Sequence, residues 1–146
     1  MAHLFDSNCF LRLAETGSLQ RVAVLDAIRK LRVSNETIYY TPQVLAEFWN
    51  VCTRPPSARG GLGLSVDQTE RKVKLIEKHF HLLPDNLDTF LTWRRLVSDL
   101  QIKGVQVHDA KITASMITHK IINLVTFNER HFKRFSMIRA INPNDL

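Results

Sequence analysis

IINLVTF, residues 121–127, is an almost continuous apolar run. A strand with one wet face alternates polar and apolar residues. A run without that alternation is covered on both faces, as in parallel sheets flanked by helices. Four shorter segments share its character: HLF (3–5), TIYY (37–40), FHLL (80–83) stopped by Pro84, and MIRAI (137–141) closed by Asn142-Pro143. These are strand candidates on their apolar, β-branched and aromatic content and on the turn formers that bound several of them.

Helical spacing fills the gaps between them. Val24, Ile28 and Leu31 repeat with a period near 3.6 between Ser18 and Ser34-Asn35. Thr41-Pro42 reads as an N-cap followed by a first-turn proline, and Leu45, Phe48, Trp49 and Cys52 then mark one face. Ser65 and Gln68 have capping-box spacing for a helix through Val73 and Ile76. Phe90, Trp93, Val97 and Leu100 predict a further helix, and Ala110, Ala114, Ile117 and Ile121 the next. Strands separated by helices predict an α/β fold with a mostly parallel sheet of about five strands, helices on both faces. The only distinctive loop is RPPSARGGLGLS (54–65), and neither repeats nor a composition shift divide the chain, so residues 1–146 read as one domain.

Hydrophobic residues make up 45% of the chain and charged residues 23%, a balance that excludes a disordered chain. The formal net charge of +6 favours an anionic partner, nucleic acid first, although such an excess also serves solubility alone. Cys9 and Cys52 are lone cysteines without a CxxC, which suggests buried, reduced thiols rather than a zinc site or disulfide. With neither a signal-peptide pattern nor an apolar run of spanning length, a soluble cytoplasmic protein is expected.

In parallel α/β sheets, ligands bind beyond the carboxyl ends of the strands. Asp6 stands there, directly after the first strand, while Thr126 and Asn128 stand at the end of the strongest one. Glu47 lies on the helix after the second strand with Val44 and Val51 as its i−3 and i+4 neighbours, so it borders a buried stripe. Asp109 opens the small-residue helix AKITASMITHKII. Each acid alone has an ordinary reading: a first-turn acid at the helix dipole for Asp109, a rim residue paired with Arg54 or a lysine for Glu47.

Taken together, LFDSN (4–8), TPQVLAEFWNVCTRP (41–55) and HDAKITASMITHKIINLVTFNERHF (108–132) resemble the PIN-domain ribonucleases, specifically their VapC-type toxin branch. The likeness runs almost end to end, with the three blocks in the right order, and Glu47 to Pro55 is its sharpest part. It implies a three-layer α/β/α sandwich whose sheet edge gathers acids around Mg²⁺ or Mn²⁺. By position, Asp6, Glu47 and Asp109 match the core acids, as metal ligands and catalytic residues. Ser7, Asn8, Thr126 and Asn128 match polar residues that hold acids or substrate in place. Where relatives often carry a fourth acid before Phe132, this chain has His131, with Glu129 nearby but out of register. The resemblance also implies a cognate antitoxin and a homodimer.

The chemistry is consistent with that implication. Carboxylates about 4 Å apart repel by roughly 4 kcal/mol at an effective dielectric near 20, so converging acids need a cation or a proton. Oxygen-only ligands suit Mg²⁺ or Mn²⁺ rather than zinc. Arg54, Lys133 and Arg134 are candidates for RNA phosphate contacts. The expected activity is metal-dependent endoribonuclease cleavage, with a catalytically weak RNA- or antitoxin-binding module as the alternative. A phosphatase using D-x-D is disfavoured, because Asn8 follows Asp6 at the second position. His79 and His81 form an HxH pair without a third ligand.

Overall fold

The structure, a computed structural model, describes residues 1–146. Five strands form one all-parallel sheet: β1 (Ala2–Phe5), β2 (Thr37–Tyr40), β3 (His81–Leu82), β4 (Asn123–Val125) and β5 (Arg139–Ile141), in the order β3-β2-β1-β4-β5. Six helices join them: α1 (Ser7–Ala14), α2 (Leu19–Val33), α3 (Pro42–Thr53), α4 (Val66–His79), α5 (Leu87–Asp99) and α6 (Gln106–Thr118). Helices α1 to α4 pack on one another, and α5 packs chiefly on α6, giving the expected sandwich.

The centre of the sheet is the most deeply buried. Leu4 and Phe5 of β1 pair in register with Leu124 and Val125 of β4, and all four side chains are inaccessible to solvent. These strand ends carry apolar residues on both faces because helices cover both sides of the sheet, and only His3 and Asn123, at the other ends, bring polar groups into it. β1 is also where the connections change direction, towards β2 on one side and β4 on the other. The crevice beyond its carboxyl end is therefore the natural ligand position.

Some expected boundaries differ. Residues 7–14, given no helix above, form α1, because Asp6 is both the end of β1 and an N-cap whose Oδ1 accepts from the Ser7 N–H at 2.8 Å. Strand to helix therefore takes one residue. Ile121, expected to continue α6, lies past its end: the left-handed Lys120 (φ 58°) reverses the chain, and the Ile121 N–H donates to the Met116 carbonyl. β4 is correspondingly shorter than 121–127. On α5, Thr89 and Leu96 are buried and Trp93, Val97 and Leu100 pack at the edge of the core as expected, while Phe90 is 52% exposed. On α3, Val44, Phe48 and Cys52 are buried, with Leu45 and Trp49 packed at the edge of the core.

The predicted caps are present. Thr41 Oγ1 accepts from the Val44 N–H at 3.1 Å, and Ser65 and Gln68 form a complete capping box. Cys9 and Cys52 are buried free thiols. The 54–65 loop folds back on α3, its Leu62, Gly63 and Leu64 N–H groups donating to the carbonyls of Val51, Arg54 and Cys52. Gly61 is required there, since a Cβ would stand 2.4 Å from the Arg54 and Pro55 carbonyl oxygens.

Candidate active site

Asp6 is only 7% exposed, and its carboxylate is surrounded by donors. Oδ1 accepts from the Ser7 N–H, and Oδ2 accepts from Thr126 Oγ1 at 2.8 Å and Asn8 Nδ2 at 3.3 Å. Thr126 reaches it because β1 and β4 are neighbours. Thr126 Oγ1 also accepts from Asn8 Nδ2 and from the Asn128 N–H, while Asn8 Oδ1 accepts from the Phe127 N–H. Asn8 and Thr126 thus stitch the end of β4 to the start of α1.

Glu47 is half-buried and held from both sides: Ser7 Oγ donates to Oε2 and Gln43 Nε2 to Oε1, each at 2.9 Å. Its partners are therefore neither Arg54 nor a lysine. Gln43 Nε2 also donates to the His108 carbonyl at 2.9 Å, immediately before Asp109. Asp109, half-buried, lies near the start of α6.

The three acids influence one another. Burial pushes the Asp6 carboxyl up to about 6; hydrogen bonds from Thr126 and Ser7 oppose the rise, and the charges of Glu47 and Asp109 add to it. Asp109 is also raised, first by burial and then by Glu47, against the opposing influence of His131 and His108. Buried carboxyls held above their ordinary range gain from a nearby cation. Nevertheless, no three His, Cys, Asp or Glu side chains stand close enough to hold one metal ion. Two carboxylates plus water would suit a hard cation such as Mg²⁺, which keeps several of its waters. The oxygen donors at this sheet edge fit that group.

The remaining predicted residues are dispersed. Asn128 contributes its N–H to Thr126, and its side chain is exposed. Arg54 ends α3 and donates to the Arg59 carbonyl at 3.0 Å, so its guanidinium is engaged by the 54–65 loop rather than by the acids. Arg134 donates to Gln106 Oε1 and to the Leu100 carbonyl, while Lys133 is exposed. Glu129 accepts from Asn142 Nδ2 at 2.8 Å. His131 is exposed on the 3₁₀ turn Glu129–Phe132, which packs against α6, and its influence on Asp109 exceeds that of Glu47. His79 and His81 are both exposed. Sequence reasoning missed Gln43, although its i−4 spacing from Glu47 on one helix was visible.

The model of the PIN domain matches residues 4–137. The chain belongs to the PIN-domain family. Solved structures share the fold of this PIN domain over nearly its whole length. VapBC2 from Rickettsia felis, bound to a DNA fragment from its promoter, matches with a TM-score of 0.74 at 18% identity, covering 97% of this chain and 98% of that chain. VapBC-1 from nontypeable Haemophilus influenzae matches with a TM-score of 0.69 at 18% identity, covering 98% of each chain. VapC20 from Mycobacterium tuberculosis, a sarcin-ricin-loop-cleaving toxin, matches with a TM-score of 0.62 at 15% identity over 91% of this chain and 95% of that one. Comparison with curated proteins gives no significant match. No helix of this PIN domain is long and apolar enough to cross a membrane.

Proposed function

We propose that this PIN domain is a metal-dependent endoribonuclease, the toxin of a toxin–antitoxin pair. The reading is supported by the coupling of Asp6, Glu47 and Asp109 beyond the sheet's switch point: Ser7, next to Asp6, donates to Glu47, and Gln43 ties Glu47 to the residue before Asp109, with Asp6 and Asp109 both held above their ordinary range. Asp6 and Asp109 would hold Mg²⁺ or Mn²⁺ directly, and Glu47, already held by Ser7 and Gln43, would act through water. The bound ion would lower the pKa of an attacking water and offset charge on the leaving oxygen. Water's oxygen bonds to phosphorus, the bond to the leaving oxygen breaks, and that oxygen departs with a proton. Thr126, Asn8 and Ser7 fix Asp6 and Glu47, so these acids need little reorganisation during the reaction.

RNA would be held by its phosphates. Lys133 is exposed and in no ion pair, whereas Arg134 also anchors the start of α6, so only Lys133 reports cleanly on phosphate contact. Lys133→Glu is expected to weaken RNA binding about equally across unrelated sequences and to reduce the salt slope by about one. Titration at several salt concentrations checks this; an unchanged slope removes Lys133 from the interface.

Structural neighbours described as a toxin–antitoxin complex and as a member of the VapBC family of toxin–antitoxin systems support a protein partner. A groove of about 280 Å³ between α1, α2 and α4, lined by Phe10, Leu13, Leu75 and Phe80 with Arg32 and Lys72 beside them, suits an acidic, amphipathic antitoxin segment. A homodimer is proposed on the same likeness.

The deciding experiment incubates labelled RNA with the protein in Mg²⁺, Mn²⁺ or EDTA. Cleavage dependent on the ion supports the endoribonuclease. RNA retained in a gel shift without cleavage favours a binding module.

A further inference from the structure

We propose that Gln43 is a positioning residue that sets the spacing of Glu47 and Asp109, and through it the cluster's affinity for a divalent cation. The inference rests on the metal-dependent reading above.

Gln43 occupies the first turn of α3 and uses both hydrogens of one amide nitrogen. One goes to Glu47 Oε1 and the other to the His108 carbonyl, both at 2.9 Å. Both partners are acceptors, so the amide has only one sensible orientation. Gln43 Oε1 is left buried without a partner. A side chain kept in this pose while one acceptor goes unsatisfied is held by what its nitrogen does.

The two bonds complete a belt through the site. Ser7, directly after Asp6, donates to one oxygen of Glu47; Gln43 donates to the other and continues to His108, directly before Asp109. All three acids are thereby linked through their neighbours.

The link from α3 to α6 has little else behind it, since the two helices otherwise barely touch. Nor does the sequence of α6 fix its own start. Val105 provides no side-chain cap, is 81% exposed, and follows Gly104 at φ +62°. The first turn is held by outside donors: Trp93 Nε1 to the Val107 carbonyl at 2.9 Å, Arg134 to Gln106, and Gln43 to His108. Among these, Gln43 alone also touches an acid of the cluster. Groups that orient metal ligands typically change affinity by about 10–100-fold when removed.

The test compares wild type, Gln43→Met and Trp93→Phe by Mn²⁺ calorimetry, RNA cleavage and melting in EDTA. Gln43→Met keeps the length and loses both donors; it is expected to weaken Mn²⁺ about tenfold and lower kcat, with KM for RNA unchanged. Gln43→Asn, too short to span both acceptors, should give the same loss and serves if the methionine variant misfolds. Trp93→Phe loosens the same turn without touching an acid; it should lower the melting temperature but leave Mn²⁺ affinity within about twofold. Equal losses in the Gln43 and Trp93 variants, or wild-type affinity in a folded Gln43 variant, would overturn the positioning role while leaving the metal-dependent reading intact. A wild-type protein that binds no Mn²⁺ would overturn both.

Discussion

Asp6→Asn is expected to reduce ion-dependent RNA cleavage by on the order of 10³-fold while raising the melting temperature in EDTA. The two effects share one origin. Asp6 is a nearly buried carboxyl whose pKa is pushed to about 6, chiefly by desolvation. Its folded-state pKa exceeds that of the unfolded chain, so the folded state binds the extra proton between about pH 4 and 6. Stability without metal therefore falls as pH rises through that window, and above it the buried charge costs about 3 kcal/mol. Asparagine removes the charge and keeps an Oδ1 to accept from the Ser7 N–H, so α1 stays capped. Its Nδ2 would meet Asn8 Nδ2 and a Thr126 hydroxyl that already accepts twice, which returns about 1 kcal/mol of the gain. The net expectation is a rise of about 6 °C at neutral pH in EDTA, and a flatter dependence of melting temperature on pH between 4 and 6. Calorimetric melting across pH, beside cleavage assays, checks both arms. Full activity in the variant would remove Asp6 from the chemistry.

His131→Asp should act in the opposite direction. His131 lies on the turn packed against α6 and is the side chain that most opposes the raised pKa of Asp109. The acid already on that turn, Glu129, is committed to Asn142. A carboxylate in place of the imidazole would add a negative charge facing Asp109, with expected tightening of Mn²⁺ of about tenfold or more. In EDTA the same substitution should lower the melting temperature, because the new carboxylate would repel Asp109. Titration calorimetry reads the first effect and thermal melting the second. Two tightly bound ions in the wild type, or no tightening in the variant, would mean that Glu129 or Asn128 already supplies the missing oxygen. Directly bound Mn²⁺ should number one, with a second ion recruited only by substrate phosphate.

The sequence by itself determined the elements with strong local signals. An apolar run without alternation meant a doubly covered strand, Thr41-Pro42 and Ser65-Gln68 started helices, and together they led to a parallel sheet between helical layers. It also placed Asp6 and Thr126 at strand ends, because strand position alone decides which residues reach a sheet edge. The α1 helix was missed because Asp6 serves the strand and the helix at once, leaving no loop to announce the change. Only the tertiary structure decided which polar atoms meet. Thr126 finds Asp6 across 120 residues, and Gln43 finds His108 across 65. Arg54 turns into its own loop, and Arg134 anchors α6. Periodicity records whether a residue faces the core, since burial follows from local helix or strand geometry. It carries no record of a hydrogen-bond partner brought alongside by chain reversal, and the candidate site is built from such partners.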